Sequence, residues 1–149
     1  MRLIRDKGYF GIGIYNTKIG ANVGTLWRSA NIFGVSFIFT IGHRYKKQSS
    51  DTMKTPNDIP LLAFDNFDDF YKHLPYGCQL VGIEIVETAI KIQEFEHPKQ
   101  CVYLLGAEDH GLPDSVLGKC QGVVVLPGDY CLNVATAGSI VLYDRILKE

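Results

Sequence analysis

The sequence predicts an α/β domain in which a mostly parallel sheet is flanked by helices. Short apolar segments alternate with longer segments of helical periodicity, which is the pattern typical of such sheets. The apolar segments have no polar alternation, as expected for strands that are buried on both faces. A chain of 149 residues has the length of one domain, so residues 1–149 are predicted to form a single unit.

Each predicted strand is rich in Val, Ile, Leu or Phe and ends near Gly, Pro, Asn or Asp. The last helix shows apolar periodicity through Leu132, Ala135, Ile140, Tyr143 and Ile146. The predicted strands are residues 9–15, 35–41, 61–64, 80–86, 101–105 and 122–126, and the predicted helices are residues 22–33, 66–73 and 132–148.

Two further local features follow from the sequence. Asn22 is predicted to cap the first helix, because its side-chain oxygen can accept an unpaired amide proton of the first turn. Residues 42–60 are predicted to form a long polar loop that opens with the basic run 43–47. Such short charge runs are usually solvated surface, and contact with phosphate is the alternative.

Composition excludes several classes of protein. Hydrophobic residues make up 46% and charged residues 21%, which is typical of a soluble globular domain. No window has the roughly 18 uninterrupted apolar residues of a membrane helix, and the charged start lacks a signal peptide's apolar core. We therefore expect a cytoplasmic protein with no membrane partner. The net charge of −1 argues against strong nonspecific nucleic-acid binding but leaves a local basic face open.

The cysteine and histidine positions predict neither disulfides nor a metal site. The four cysteines form no C-x-x-C pair, so reduced and buried thiols are expected. The four histidines have no metal-ligand spacing to one another or to the cysteines. The cysteines are Cys78, Cys101, Cys120 and Cys131.

Gly11 and Gly13 in the first predicted strand suggest a dinucleotide-binding turn, but the pattern is incomplete. Asn16 stands where the third glycine of that motif is required, and no acidic residue follows at the proper distance. A nicotinamide or flavin site is therefore not expected.

Three other segments lie where a strand gives way to a helix, which is where open α/β sheets bind ligands. In the second of them, Gly106 and Gly111 lie five residues apart and let the backbone turn sharply and approach a ligand. The bland alternative is that Glu108, Asp109 or Asn133 merely caps a following helix. The segments are residues 22–28, 105–113 and 126–135.

Together, these segments resemble the three motifs of the SpoU-type (TrmH-like) RNA 2′-O-ribose methyltransferases of the SPOUT superfamily. The resemblance covers residues 9–145. The first motif, N-x-G-x-x-x-R, is matched by Asn22, Gly24 and Arg28. The second is matched by Leu104, Leu105, Gly106, Glu108 and Gly111, and the third by Leu126, Pro127, Leu132, Asn133, Val134 and Ala137.

The resemblance implies a fold with a C-terminal trefoil knot, S-adenosylmethionine as cofactor, an RNA substrate, with tRNA favoured over rRNA, and a homodimer. It implies that Arg28, Asn22 and Glu108 form the catalytic group. Because a guanidinium stays protonated, Arg28 is expected to clamp a phosphate and position the ribose rather than act as a base. The cofactor is expected to contact mainly backbone groups at Ile83, Glu84, Gly106, Gly111, Leu126, Cys131 and Leu132.

Two departures from the family pattern motivate an alternative function. Cys131 stands where the family usually has serine, and the turn from Leu126 to Cys131 is shorter than in relatives that modify the wobble ribose. The alternative is a SpoU-like protein that binds RNA or cofactor with weak or no catalysis. Both departures are compatible with that function. An unrelated nucleotide-binding α/β domain is a third possibility.

The homodimer is also favoured by the composition of the first and last helices. They carry more apolar residues than one small domain would cover, and large exposed apolar patches usually mean a partner. Trp27, Leu142 and Tyr143 are the residues predicted to contribute to that surface.

Overall fold

The computed structural model describes residues 7–45 and 59–149. The strands are β1 (Tyr9–Tyr15), β2 (Phe37–Ile41), β3 (Leu61–Phe64), β4 (Gln79–Ile83), β5 (Ile90–Lys91), β6 (Gln100–Leu105) and β7 (Gly122–Val125). The helices are α1 (Gly20–Ile32), α2 (Phe67–Lys72), α3 (Asp114–Leu117) and α4 (Val134–Lys148), with a 3-10 turn at Ile92–Glu94. In the described residues the strands form one sheet of order β3-β2-β1-β6-β4-β7-β5. All strand pairs of that sheet are parallel, which confirms the predicted fold class.

Helices cover both faces of the sheet. α1 and α4 pack against each other on one face, where Leu26 and Leu142 meet Ile12 of β1 in the larger apolar core. α2 and α3 cover the other face, where the rings of Phe39 and Phe70 stack with centroids 4.5 Å apart. Burial on both sides explains why the strand sequences lack polar alternation.

Gly11 and Gly13 serve the packing of this sheet. A Cβ atom at Gly11 would lie 2.4 Å from the ring of Phe37, and one at Gly13 would lie 2.5 Å from the ring of Phe39. The two glycines therefore leave room for aromatic rings of the neighbouring strand β2.

Several element boundaries differ from the sequence-based prediction. β4 ends at Ile83 rather than at residue 86, because the Glu84 side chain accepts a hydrogen bond from the amide of Ile85 and turns the chain. β5 and the 3-10 turn have only two and three residues, too few to give a periodic pattern. Much of the predicted loop, residues 46–58, lies outside the described residues.

The prediction that Asn22 caps α1 is wrong. α1 begins at Gly20, and Ile19 occupies the cap position without a side-chain hydrogen bond. Asn22 is buried in the first turns of the helix and is bonded to Glu108 and Asn133 instead. These long-range partners take the place of the local capping bond.

The periodic apolar residues of α4 do not all lie on its buried face, and Tyr143 is exposed, as predicted for the uncovered surface. Ile140 and Tyr143 are 38% and 56% exposed, whereas Leu142, predicted to belong to an uncovered surface, is fully buried. The reason is close packing on α1, since a Cβ atom at Gly138 would lie 2.5 Å from Leu26. Ala135, Gly138, Val141 and Leu142 therefore face inward, and Ile140, Tyr143 and Leu147 are left on the outer side. Trp27 is partly buried, and its indole nitrogen donates to the carbonyl of Ile59 over 3.0 Å.

All four cysteines are free thiols. Cys101 is buried, and burial raises the pKa of Cys120 to about 11. Cys131 is exposed, so the expectation of burial is wrong there, because this cysteine lies in the turn before α4 rather than in a strand. None of the helices in the described chain has the length and hydropathy needed to cross a bilayer.

A buried arginine ties α4 to the opposite, amino-terminal edge of the sheet. Arg145 is 3% exposed and donates to the carbonyl oxygens of Pro98, Lys99 and Lys7 over 2.7, 3.0 and 3.0 Å. Its guanidinium carbon lies 4.1 Å from the ring centroid of Phe10. These contacts satisfy a charge that would otherwise be costly to bury.

Next to Arg145, a histidine is held in one tautomer. The Tyr103 hydroxyl accepts from Arg145 over 3.0 Å, which directs its proton to Nδ1 of His97, 2.6 Å away. Nε2 of His97 then donates to the carboxylate of Asp144 over 2.7 Å. Burial lowers the pKa of His97 despite Asp144, and the charges of Arg145 and Lys148 act in the same direction as burial.

We expect His97 to make the protein less stable as the pH falls below about 6.5. The folded pKa of His97 is lower than its unfolded value, so the unfolded chain binds this proton first. The contribution of neutral His97 to the free energy of unfolding is therefore fully present above about pH 6.5. It declines as the pH drops toward the folded pKa of His97. Urea titrations from pH 5 to 8 measure this slope.

The variant His97→Gln should flatten the slope, whereas His73→Gln, which changes an exposed imidazole, should leave it as in the wild type. Equal slopes in wild type and His97→Gln would contradict the prediction.

Candidate functional site

The predicted ligand-binding turns meet at the carboxyl edge of the sheet. β6, β4 and β7 are neighbours in the sheet although they are well separated in sequence. Because the strands are parallel, the turns after Leu105, Ile83 and Val125 leave the sheet at the same edge. This is the position where open α/β sheets bind ligands.

A pocket of about 400 Å³ lies between these three turns. This volume falls in the range of roughly 300–1,000 Å³ that is usual for small-molecule sites. Leu105, Leu112 and Ala137 give it apolar walls, and Glu84 and Asp109 give it acidic ones. The residues predicted to contact a cofactor all line it, namely Ile83, Glu84, Gly106, Gly111, Leu126, Cys131 and Leu132.

Glu84 joins two of the turns. Its carboxylate accepts from the amide of Ile85 over 2.9 Å and from the amide of Leu112 over 2.7 Å. Gly111 lies beside this carboxylate and has a positive φ of +62°. A Cβ atom at Gly111 would lie 2.3 Å from Glu84 Oε2. The positive φ favours glycine at position 111, and a side chain there would have to displace the Glu84 carboxylate from its hydrogen bond with Leu112.

Gly106 is required by a close approach within the same turn. A Cβ atom at Gly106 would lie 2.6 Å from the Cα atom of Gly111 and 2.8 Å from the amide nitrogen of Leu112. The sequence suggested that the space beside Gly106 belongs to a ligand, but the backbone of this turn fills it. The two glycines thus close the turn upon itself, and the amide of Gly111 donates to Ala107 over 3.0 Å.

Glu108 connects this turn to the start of α1. Its Oε1 atom accepts from the hydroxyl of Thr17 and, over 2.8 Å, from the side-chain amide of Asn22. Its Oε2 atom accepts from the backbone amide of Lys18 over 3.1 Å. Three donors from one short stretch of chain therefore fix both carboxylate oxygens.

The third motif joins the same network. The Oδ1 atom of Asn22 accepts from the side-chain amide of Asn133 over 3.0 Å. Asn133 in turn caps α4, because its Oδ1 accepts from the amide of Thr136 over 3.1 Å. The capping function predicted for Asn133 is confirmed, and the same side chain also links α4 to α1.

These contacts keep Glu108 ionised. Burial alone would raise the pKa of its carboxyl, but the hydrogen bonds from Thr17, Asn22 and backbone amides outweigh burial and hold the pKa below its usual value. A carboxylate with a lowered pKa and occupied oxygens is a poor proton acceptor. Its contribution is to hold Asn22 and the two turns in a fixed geometry.

Asp109, the next residue, forms a second connection to the same region. It pairs with the Arg44 guanidinium through two hydrogen bonds of 2.8 and 3.1 Å, and these lower the pKa of the Asp109 carboxyl. Arg44 also donates to the carbonyl of Asn16 over 2.7 and 3.0 Å. Neither Glu108 nor Asp109 caps α3, whose cap position is Pro113.

Arg28 is separate from this network. It lies six residues after Asn22 on α1, on the exposed side of the helix. Among the described residues, none forms a hydrogen bond or ion pair with it, and the pocket lining contains Glu108 but neither Asn22 nor Arg28. The structure therefore brings Asn22 and Glu108 together and leaves the Arg28 guanidinium open to solvent.

Sequence analysis missed Thr17 and the specific part played by Arg44. Thr17 lies after the first strand and belongs to none of the three motifs, although a hydroxyl that follows a parallel strand is placed at the ligand-binding edge. Arg44 was considered only as part of a basic run. No local pattern could have paired it with Asp109, 65 residues away.

Curated relatives of this chain are ribose methyltransferases. A tRNA (cytidine(34)-2′-O)-methyltransferase of Ancylobacter novellus is 25% identical over 145 residues, which cover 91% of this chain and 90% of that protein. A tRNA (guanosine(18)-2′-O)-methyltransferase of Saccharomyces cerevisiae is 23% identical, and the match covers 86% of this chain. The chain spans only 10% of the yeast protein and 53% of a 23S rRNA (guanosine-2′-O-)-methyltransferase from Acinetobacter baylyi.

Solved structures share the fold. An AdoMet-bound rRNA methyltransferase from Sinorhizobium meliloti has a TM-score of 0.82 at 22% identity, covering 99% of this chain and 61% of that one. A structure concerned with 2-OH methylation of C/U34 on tRNA also has a TM-score of 0.82 at 22% identity, covering 94% and 95% of the two chains. The family resemblance and the fold class are thus confirmed. The SpoU rRNA methylase family matches residues 10–143, so this chain belongs to that family.

Proposed function

We propose that the protein transfers a methyl group from S-adenosylmethionine to a ribose 2′-hydroxyl of RNA, and that its substrate is tRNA in the cytoplasm. One observation carries the proposal: a single hydrogen-bond network joins all three family motifs beside a small-molecule pocket. The curated relatives act on the ribose of tRNA or rRNA, and the relative of similar length acts on tRNA.

The pocket suits a cofactor with a positive sulfonium group. Apolar walls suit an adenine ring, and acidic residues suit a cation. S-adenosylmethionine supplies an electrophilic methyl group when it is bound. The turns at Ile83–Glu84, residues 106–111 and residues 126–132 would hold it, largely through backbone groups. A C-terminal trefoil knot is part of the same proposal.

The polar residues have distinct tasks in this proposal. Alignment of the two reactants provides much of the rate, so groups that fix geometry matter most. Glu108 and Asn22 fix the start of α1 against the pocket. Arg28, exposed and permanently charged, would clamp an RNA phosphate, so neither Arg28 nor Glu108 takes the ribose proton. The hydroxyl proton becomes strongly acidic as the ribose oxygen bonds to the methyl group, so solvent water suffices as its acceptor.

One observation favours a second candidate function, the binding of cofactor or RNA with little catalysis. Cys131 lines the pocket where the family pattern has serine, and a thiol is a weaker hydrogen-bond partner than a hydroxyl. A protein that binds cofactor or RNA with little catalysis would result if that hydroxyl were essential. Incubation with methyl-labelled cofactor and total tRNA distinguishes the two functions, because a pure binder leaves the RNA unlabelled.

We expect S-adenosylmethionine and S-adenosylhomocysteine to compete for this pocket in calorimetry. Gly106→Val should abolish binding, because even the first side-chain carbon would lie 2.6 Å from the Gly111 backbone and would distort the turn. Gly122→Ala is the control, since its Cβ atom would lie 3.8 Å from the ring of Phe95, which is an ordinary van der Waals contact. Folded wild-type protein that gives no heat with either compound would refute the proposal.

We also infer that a second copy of this chain covers the outer face of α4. Ile140, Tyr143 and Leu147 lie along one side of the helix at 38%, 56% and 67% exposure, and Ile32 at the end of α1 is 78% exposed. Exposed apolar surface arranged in this way favours a partner. A homodimer fits, because closed two-fold assemblies are the commonest oligomers.

Light scattering at micromolar concentration should give the mass of a dimer. Tyr143→Asp should shift the protein to a monomer, because it places a charge in the contact. Tyr76→Asp should not, since Tyr76 is fully exposed in the loop between α2 and β4. A monomeric wild type, or a Tyr143→Asp protein of unchanged mass, would count against this dimer.

Arg28→Ala should leave cofactor affinity almost unchanged and lower single-turnover methyl transfer by about 100- to 1000-fold, the usual effect of losing a preorganised charged contact. Arg28→Lys should recover only part of the rate, because an ammonium lacks the planar fork. Lys72→Ala, at an exposed lysine of α2, is the matched control. Wild-type rates in a folded, dimeric Arg28→Ala protein would exclude the assigned task.

A further inference from the structure

Thr17 is the buried polar residue of the site that has no place in the three family motifs. It lies in the turn between β1 and α1 and is 1% exposed. Its Oγ1 atom accepts from the amide of Ile19 over 3.3 Å, which stabilises the turn. Its single hydroxyl proton is directed at the carboxylate of Glu108, the charged and therefore stronger of the available acceptors.

The Thr17 hydroxyl determines which way the neighbouring groups point. Glu108 lines the pocket, and without Thr17 the Oε1 atom would be held only by Asn22. Because the Asn22 amide nitrogen faces Glu108, its carbonyl oxygen must face Asn133. A displaced Glu108 would therefore release the amide of Asn22 and the link to the start of α4.

We propose that Thr17 is a positioning residue for the methyl-transfer reaction, acting through Glu108. Its hydroxyl fixes the Glu108 carboxylate against the pocket wall and so sets the position of α1 relative to the cofactor turns. The inference rests on the proposed function and deepens it, because it names a residue outside the family motifs on which the geometry of the site depends.

A hydroxyl is suited to this task for a physical reason. A lysine or arginine at this position would add charge beside the pocket, whereas a hydroxyl stabilises the ionised Glu108 without changing the net charge. The charged groups around Glu108 are Asp109 and His110 on its own turn, Arg44 after β2, and the Lys18 ammonium before α1. All four remain in place when Thr17 is changed.

The test compares two buried threonines. Thr17→Val keeps the shape and removes the hydroxyl, and Thr17→Ser keeps the hydroxyl. Thr40→Val is the matched control, since Thr40 is also 1% exposed and its hydroxyl has no hydrogen-bond partner among the described residues. Cofactor affinity, the rate of single-turnover methyl transfer and the pH profile of that rate are measured for the wild type and the three variants.

Thr17→Val should lower the methyl-transfer rate by roughly 10- to 100-fold, the cost of a small misplacement in a reacting site. It should also move the acidic limb of the pH profile to higher pH, because loss of one donor raises the pKa of Glu108. Thr17→Ser should restore both the rate and the profile. Thr40→Val should match the wild type.

A folded Thr17→Val protein with an unchanged rate and pH profile would overturn the proposal, as would a Thr17→Ser protein as impaired as Thr17→Val. If Thr17→Val does not fold, the carbon-13 titration of the Glu108 carboxyl in wild-type and Thr17→Ala protein decides. A midpoint at the ordinary value of 4.5 would overturn the proposal, and a lower midpoint that rises in Thr17→Ala would support it, because Asn22 and backbone amides also lower this pKa.

The titration also separates this proposal from the proposed function. If wild-type protein binds cofactor but methylates no RNA, the enzymatic assignment fails. The effect of Thr17→Val on the Glu108 titration then still shows whether the hydroxyl holds this carboxylate, and no change in that titration would refute its positioning action.

Discussion

The carboxylate of Glu108 is the constraint on which the site depends. It joins the turn after β6 to the turn after β1 and to the first turns of α1. The turn after β6 lies some 90 residues further along the chain than the other two segments. Through Asn22 the same network reaches Asn133 and the start of α4. Because each side-chain amide has a donor end and an acceptor end, one fixed carboxylate determines the orientation of every amide that follows. The motif residues are therefore one physical unit rather than three separate ligand contacts.

The sequence predicted the framework of the molecule better than its connections. β1 and β3 have the predicted bounds, and the ends of most other elements agree within about two residues, because apolar strands and helical periodicity are local signals. The pocket residues were also predictable, since parallel strand ends must meet at one edge. What local patterns cannot encode is which polar side chain reaches across the fold. For that reason Asn22 was mistaken for a helix cap.

α4 illustrates a different limit. Its sequence contains two apolar faces, and periodicity alone favoured the one with Ile140 and Tyr143. The choice is made by volume, because Gly138 allows α4 to approach Leu26 of α1 much more closely than a larger residue would. The inner face therefore combines Gly138 with Val141 and Leu142, and Ile140 and Tyr143 are left on the outer side. A helix that exposes its larger apolar residues is itself an indication of a partner.

The distribution of charge around the site bears on the proposed binding of RNA by a protein with a net charge of −1. Arg44 opens the basic run, but its guanidinium is committed to Asp109 and to the carbonyl of Asn16. Its charge therefore stabilises the site from within and adds little to an external basic face. Lys18 is half exposed, yet its ammonium lies 3.8 Å from the Asp109 carboxylate, so its charge is partly compensated. Arg28 has no such partner among the described residues, and α1 presents it on a surface rather than in the pocket. A charge that the fold leaves uncompensated is available to a phosphate, and this supports the task proposed for Arg28.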